Sequence, residues 1–329
     1  MTPRVTLICL GGTIASTSSG DRGGVAPNLR GENLLAGLDQ EALVAQMDVI
    51  DVATVPSWDL NFEHVASVID EIAKAVARGS TGVVITQGTD TLEEVAFAVD
   101  LLVDTRVPVA FVAAMRHSGS PGSDGPANLR DAIATVLDPR ARGLGCIVVM
   151  NGEVHHAADV RKTHTSSVGA FSSPDVGPCG WIHEGALHLR ARSSHGLKLH
   201  VEEPASIRTP PLVRLGIQDD GWWLDPVRSL NSGLVIEGLG GGHVPSSIAP
   251  AVEELAREIP VVMTSRAGRG SVLTSTYDAP GSEIPLRRAG VISAGVLDGI
   301  KARVLLGVLL AQKASRADIE YAFARCGSR

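Results

Sequence analysis

The sequence predicts an α/β protein in which a doubly wound, mostly parallel sheet is joined to a second, smaller α/β domain. Short apolar runs bounded by glycine recur along the chain, and they lack the polar and apolar alternation of half-solvated strands, as strands buried on both faces do. Segments with helical spacing lie between these runs, so strands and helices alternate. The apolar runs occupy residues 5–10, 82–86, 107–113, 146–150, 234–236 and 260–264.

Apolar residues three and four positions apart mark the helices. One predicted helix carries Val65, Ile69, Ile72 and Val76, and the next carries Leu92, Val95, Ala96, Val99 and Val103. In the second half of the chain, helices are predicted over residues 246–258, 299–312 and 315–324, and strands over residues 233–238 and 259–265.

The alternation fails between residues 163 and 211, where His, Ser, Gly and Pro are frequent. The spacing there suggests short antiparallel strands over residues 186–190 and 197–201. We therefore expect an N-terminal α/β domain that carries the site over residues 1–190, a linker over 191–213, and a smaller C-terminal α/β domain over 214–329.

The composition favours a small-molecule ligand. The 329 residues carry a net charge of -7 at pH 7, whereas nucleic acid and anionic membrane surfaces attract basic partners. The longest apolar run, residues 107–115, is far shorter than the roughly 18–20 residues of a membrane-spanning helix. The only early apolar run leads into a Gly-Gly turn and not into a cleavage site. We expect a cytoplasmic protein that binds neither nucleic acid nor membrane.

Cysteine and histidine spacing does not indicate a metal site. The four cysteines are isolated in the sequence, without a Cys-x-x-Cys pair, so neither zinc nor a disulfide framework is expected. Seven histidines lie between residues 155 and 200, but they form no HExxH pattern. The sequence therefore predicts buried thiols, no metal and no cofactor.

Two loops that follow predicted strands place hydroxyl groups at strand ends, where ligands of open α/β sheets bind. The first is GGTIA, residues 11–15, and the second is QGTDTLEE, residues 87–94. Thr91 and Glu94 have the spacing of a capping box for the next helix. Thr89 and Asp90 would then lie at a helix N-terminus, which favours an anion such as a substrate carboxylate.

A third loop, residues 113–129, is long and polar, and a fourth leads from residue 151 to Lys162. The chain has only five lysines, and a lysine in place of arginine suits a group that must release a proton. Thr13, Thr89, Asp90 and Lys162 together supply the parts of a covalent acyl-transfer site. Taken singly, GGTIA is also compatible with a structural tight turn, and Lys162 with a solvated surface cation.

The motifs resemble those of the bacterial-type L-asparaginase family in order and spacing over nearly the whole chain. They are GGTIA at 11–15, GTDTLEE at 88–94, an AMR…SDGPANL stretch at 114–129, and KARVLL at 301–306. The resemblance implies hydrolysis of L-asparagine to L-aspartate and ammonia, with a possible side activity on glutamine, and a homodimer or homotetramer. It implies no cofactor.

The same resemblance implies a role for each matching residue. Thr13 is the nucleophile, and Thr89, Asp90 and Lys162 form a second triad. In the substrate-binding set, Ser57 holds the α-carboxylate, Asp90 and Glu283 of a neighbouring chain hold the α-amino group, and the carbonyl of Ala114 faces the substrate amide. The other positions expected to contact substrate are Trp58 and Gly88.

Three positions depart from the family pattern. The loop over residues 16–30 lacks the usual tyrosine, so Ser16, Thr17, Asp21 or Arg22 is a candidate to replace it. Gln87 stands where the family has His, and Trp58 where it has Gln.

Two rival functions remain: an amidotransferase subunit that releases ammonia for tRNA-bound glutamate, and an amino-acid sensor without turnover. That amidotransferase subunit carries an N-terminal extension, whereas GGTIA begins here within about a dozen residues of Met1.

Overall fold

The computed structural model describes residues 2–18, 24–38, 45–190, 196–230 and 232–328. The chain divides into two compact units, residues 1–198 and residues 199–329. The division falls inside the predicted linker over residues 191–213.

The larger unit is built on an eight-stranded sheet. Its described elements are β1 (Arg4–Gly11), β2 (Ser16–Ser18), β3 (Val25–Pro27), α1 (Gly31–Ala36), β4 (Gln46–Val55), α2 (Phe62–Ala77), β5 (Gly82–Thr86), α3 (Leu92–Leu102), β6 (Val109–Val112), α4 (Gly125–Leu137), β7 (Cys146–Met150), β8 (Glu153–His156), β9 (Arg161–Lys162), β10 (Phe171–Ser172), β11 (Gly180–His183) and β12 (Ala186–Leu189). The sheet has the order β12-β11-β8-β7-β6-β5-β1-β4.

Strands β4, β1, β5, β6 and β7 run parallel, and β8, β11 and β12 extend the sheet in antiparallel fashion. The inner strands have apolar side chains on both faces, and every residue of β5, β6 and β7 is buried. The prediction of a mostly parallel sheet from uninterrupted apolar runs is therefore confirmed.

Helix α2 shows how the helices are fixed to this sheet. Asn61 caps its N-terminus, because the Asn61 side-chain oxygen accepts hydrogen bonds from two backbone N–H groups of the first turn. The buried face consists of Val65, Val68, Ile72 and Ala75. Val76, predicted to lie on that face, is 36% exposed. The last turn buries Ala75 in its place.

The predicted strand over residues 197–201 is wrong, because the structure has no strand over residues 196–201. Lys198 instead bonds to the end of α3, where its Nζ lies 3.1 Å from Asp100 Oδ1. The predicted neighbouring strand over residues 186–190 is confirmed as β12.

The smaller unit is a second α/β unit. Its elements are β13 (Leu212–Arg214), α5 (Leu224–Leu230), β14 (Leu234–Gly238), α6 (Ala249–Glu258), β15 (Val261–Ser265), α7 (Glu283–Arg288), β16 (Ile292–Ser293), α8 (Gly299–Ala311) and α9 (Arg316–Gly327). The four strands run parallel in the order β13-β14-β15-β16. Asp298 caps α8 and Ser315 caps α9 through backbone N–H groups of their first turns. The strands predicted over residues 233–238 and 259–265 and the three predicted helices are confirmed.

All four cysteines are buried and none forms a disulfide, as predicted. Burial raises the pKa of Cys9 and of Cys179 to about 12, so these thiols stay protonated near neutral pH. Within the described residues, no three His, Cys, Asp or Glu side chains are grouped as metal ligands would be. None of the described helices is both long enough and apolar enough to cross a membrane.

Candidate active site

The site forms where the sheet of the larger unit reverses its order of winding. Strand β1 lies between β4 and β5 in the sheet, so the chain passes to one side of β1 and then to the other. The carboxyl ends of such strands leave a crevice in which ligands bind. The loops after β1, β4, β5 and β6 carry Thr13, Ser57, Thr89 and Ala114 to this edge.

Two glycines allow three of these loops to touch. Gly12 has a φ of 81°, and a Cβ atom on it would lie 2.1 Å from the backbone nitrogen of Gly88. A Cβ atom on Gly88 would in turn lie 2.7 Å from Ser57 Oγ. Because no side chain fits between the backbones, Thr13, Thr89 and Ser57 are held on adjacent segments.

Lys162 joins two of the predicted catalytic residues. Its Nζ donates to Thr89 Oγ1 at 2.8 Å and to Asp90 Oδ1 at 2.6 Å. Thr89 is buried, whereas the Asp90 side chain is 47% exposed. The Thr89 hydroxyl accepts from the lysine with one lone pair, so its own hydrogen is available to a ligand in the crevice.

The Lys162 backbone is fixed by its own short ribbon and by a helix. Strand β9 pairs with β10, with Lys162 opposite Phe171, and the Lys162 N–H donates to Glu93 Oε2 at 3.2 Å. Glu93 lies in the first turn of α3 and is buried. Glu93 is not among the residues predicted for the site, although it stands two positions after Thr91 in the GTDTLEE motif.

Ser57 is buried beside the Thr89–Asp90 loop. Its Oγ accepts a hydrogen bond from the Asp90 N–H at 3.1 Å, and its carbonyl accepts one from Thr91 Oγ1 at 2.8 Å. The predicted capping box is therefore wrong: the Thr91 side chain makes no capping hydrogen bond to α3. Its hydroxyl instead holds the loop that follows β4.

Thr13 opens a short 3-10 turn, Thr13–Ala15, directly after β1. Ser16 Oγ donates to the Gly12 carbonyl at 2.8 Å, and Ser118 Oγ donates to the Ser16 carbonyl at 2.7 Å. Of the candidates to replace the family tyrosine, Ser16 is thus bonded to backbone, and Thr17 Oγ1 accepts from Asn28. Asp21 and Arg22 lie outside the described residues.

Ala114 is buried at the end of the β6 segment, and the long third loop bends back over it. Asp124 accepts hydrogen bonds from the N–H groups of Met115 and Arg116, and Asn128 Nδ2 donates to the Ala113 carbonyl at 3.0 Å. A Cβ atom on Gly125 would lie 3.1 Å from Ile14. The turn of the nucleophile candidate and the Ala114 loop are therefore in close contact.

The remaining predicted positions differ in their surroundings. Trp58 is 71% exposed beside Ser57, whereas Gln87 is buried and its Nε2 donates to the Gly88 carbonyl at 3.2 Å. Glu283 lies in the smaller unit and is 2% exposed. Its Oε1 accepts from the N–H groups of Thr276 and Tyr277, and its Oε2 lies 3.1 Å from His243 Nε2.

Burial by itself would raise the pKa of Glu283, but the backbone N–H donors and His243 outweigh burial and lower it. Glu283 is therefore an ionised carboxylate within the smaller unit at neutral pH.

The fold and the strand-end cluster define an α/β protein with a Thr–Lys–Asp group in its ligand crevice. Residues 4–195 match the family Asparaginase, N-terminal, and residues 213–323 match the Glutaminase/Asparaginase C-terminal domain. The chain belongs to the asparaginase family.

Relatives match along almost the whole chain. A probable L-asparaginase of Deinococcus radiodurans is 35% identical over 98% of this chain and 97% of that protein. The crystal structure of a probable cytoplasmic L-asparaginase from Campylobacter jejuni superposes with a TM-score of 0.88 at 30% identity, covering 98% of this chain and 99% of that one. A glutamyl-tRNA(Gln) amidotransferase subunit of Pyrococcus abyssi is 32% identical over 88% of this chain, and the match covers 68% of that protein.

Proposed function

We propose that this protein hydrolyses the side-chain amide of L-asparagine to give L-aspartate and ammonia. One observation carries the proposal: Lys162 Nζ lies within hydrogen-bond distance of both Thr89 Oγ1 and Asp90 Oδ1, at the strand ends of a chain that belongs to the asparaginase family. A binding protein for an amino acid needs contacts to the carboxylate and the ammonium group. It has no need of a hydroxyl held by a lysine.

The reaction proceeds in two steps through a covalent ester. The Thr13 hydroxyl oxygen attacks the side-chain carbonyl carbon, its proton passes to the leaving nitrogen, and the C–N bond breaks to release ammonia. Water then attacks the ester carbon, the C–O bond to Thr13 breaks, and Thr13 regains a proton as aspartate leaves. Thr89, bonded to Lys162, moves the proton in each step, and backbone N–H groups of the glycine turns stabilise the oxyanion.

The groups around the crevice give each part of the substrate a partner. Ser57 and the backbone of Gly88 lie beside the α-carboxylate, and Asp90 binds the α-ammonium group with the oxygen atom not bonded to Lys162. Trp58, which is 71% exposed, covers the substrate from the solvent side. Glutamine fits the same contacts with one extra methylene, so a weaker glutaminase activity is part of the proposal.

The working unit in this proposal is a homodimer or homotetramer in which Glu283 of a neighbouring chain contributes to binding of the ammonium group. Mixing a Thr13→Ala chain with a Glu283→Ala chain tests it, because one site of a mixed dimer then carries both changes and the other carries neither. Recovery of activity supports a shared site. No recovery, with exchange of chains confirmed, rules it out. The cytoplasmic location stays a prediction.

Ammonia and aspartate measurements on the purified chain test the function itself. We expect the two products in equal amounts from L-asparagine, with saturation kinetics. Calorimetric binding of asparagine without ammonia release would favour the sensor. Ammonia release that depends on a partner protein and on glutamyl-tRNA would favour the amidotransferase. This alternative is included because of the similarity to the Pyrococcus abyssi protein.

A further inference from the structure

The start of α4 holds both peptide groups that flank Ala114. Asp124 Oδ2 accepts from the Met115 N–H at 3.0 Å, and Asp124 Oδ1 accepts from the Arg116 N–H at 2.8 Å. On the other side, Asn128 Nδ2 donates to the Ala113 carbonyl at 3.0 Å. The SDGPANL stretch, residues 123–129, thus has contacts that the proposed chemistry does not use.

Because the peptide bond is planar, the Asp124 contact also fixes the direction of the Ala114 carbonyl. The Ala114 C=O and the Met115 N–H belong to one trans peptide, so they point in opposite directions. Because the N–H points at the Asp124 carboxylate, the carbonyl of Ala114 points away from it. A charged acceptor on the N–H also polarises the peptide group and strengthens its carbonyl as an acceptor.

Asp124 is itself held in place. Asn128 is 2% exposed, and its Nδ2 also donates to Asp124 Oδ2 at 3.1 Å. Asn128 Oδ1 accepts from the Asn151 N–H at 2.9 Å, directly after β7. The side-chain amide of Asn128 therefore ties the loop after β6 to the end of β7 and fixes the carboxylate that orients the Ala114 peptide.

We propose that Asp124 is a positioning residue that aims the Ala114 carbonyl at the nitrogen of the substrate amide and so makes the enzyme selective for amides over esters. This inference rests on the proposed function. An amide nitrogen carries hydrogens that the carbonyl can accept, whereas the alkoxy oxygen of an ester has only lone pairs and gains nothing from this contact. The carbonyl therefore favours the amide substrate over its ester analogue and over the carboxylate product.

The test compares L-asparagine with L-aspartic acid β-methyl ester in wild type and in Asp124→Asn. In the variant, the side-chain amide at position 124 offers one acceptor oxygen and one donor nitrogen, whereas the Asp124 carboxylate offers two acceptor oxygens. One of the two backbone N–H groups, of Met115 or of Arg116, therefore loses its partner. We expect kcat/KM for asparagine to fall about 10-fold or more, and kcat/KM for the ester to change by less than about 3-fold. The ratio of the two values does not depend on the fraction of folded enzyme.

Asp131→Asn is the matched control, because it makes the same replacement inside α4, seven residues after Asp124, at a carboxylate that pairs with Arg130. It should leave the amide-to-ester ratio unchanged. If Asp124→Asn does not accumulate as folded protein, the same two substrates are compared in Asn128→Ser. This variant removes the donor to the Ala113 carbonyl and to Asp124 Oδ2.

An amide-to-ester ratio of kcat/KM that stays unchanged in Asp124→Asn, whether both values fall equally or neither falls, overturns the role of Asp124 while the proposed function stands. Wild-type protein that is inactive on both substrates overturns the proposed function and this inference with it.

Discussion

The Lys162→Met variant separates catalysis from stability. Methionine keeps most of the side-chain length but removes the ammonium group that contacts Thr89 at 2.8 Å and Asp90 at 2.6 Å. Loss of a positioned proton-transfer partner costs about 10²–10⁴-fold in rate. We therefore expect kcat for asparagine to fall about 1,000-fold.

The stability effect should be small in the same variant. The side chains of Lys162 and Asp90 are 16% and 47% exposed, and ion pairs with this degree of solvent access contribute about 0.2–1 kcal/mol to the free energy of unfolding. We expect that free energy to fall by less than about 1 kcal/mol.

Ammonia release measures kcat, and urea unfolding measures the free energy of unfolding. Lys74→Met is the matched control, because Lys74 makes a 2.7 Å ion pair with Glu71 on the exposed side of α2; it should keep wild-type kcat. A Lys162→Met variant that retains more than about a tenth of wild-type kcat would refute the proton-transfer role. So would a loss of activity that matches the loss of folded protein.

Three further perturbations test the fold of the larger unit. Gly12→Ala should abolish ammonia release, because its Cβ would lie 2.1 Å from Gly88 N, whereas Gly79→Ala, with a similar φ of 84° and no atom within 4 Å, should stay active; equal activities would contradict the close approach. Burial, with the charge of His156, lowers the pKa of His155 to about 4. Between pH 6.5 and 4 the unfolded chain therefore binds a proton at His155 that the folded protein does not, so the free energy of unfolding falls by about 3 kcal/mol over this range. Above pH 6.5 this contribution to stability is fully present. Urea unfolding of wild type and His155→Asn over this range measures the effect, and parallel curves would argue against it. Ile72→Ala, at a residue 1% exposed, should cost about 2–5 kcal/mol, whereas the neighbouring Val76→Ala should cost less than about 1 kcal/mol; thermal or urea unfolding distinguishes them, and similar losses would place the buried face elsewhere.

The parallel core strands were predictable because they are continuous apolar runs, but β4 was not. Among the described strands, β4 is the end strand of the sheet and pairs with β1, and none of its ten residues is buried. Polar residues such as Asp48 and Asp51 interrupt its apolar residues, so it lacks the continuous apolar run that marks β5 or β7. Pairing with β1 decides its conformation.

The residue types at the site could be predicted from the sequence, but their hydrogen-bond partners could not. The sequence placed Thr89, Asp90 and Lys162 on two separate loops, and their contact depends on the β9–β10 ribbon, whose strands are two residues each. Thr91 had the spacing of a capping box, yet its hydroxyl bonds to the Ser57 carbonyl 34 positions away in sequence. Asp124 and Asn128 carry no signal in the sequence beyond their place in the SDGPANL motif, because their contacts to the Ala114 loop exist only after α4 folds back on β6.

In the proposed mechanism, Thr13 forms a covalent ester with the substrate, and trapping this ester identifies the nucleophile. Wild-type enzyme turning over isotopically labelled asparagine is quenched in acid within its first turnovers and digested, and the labelled peptide is identified by mass spectrometry. We expect an aspartyl group on the peptide that contains Thr13, and no labelled peptide from the Thr13→Ala variant. A label on the peptide that contains Thr89, or ammonia release by Thr13→Ala at the wild-type rate, would contradict it.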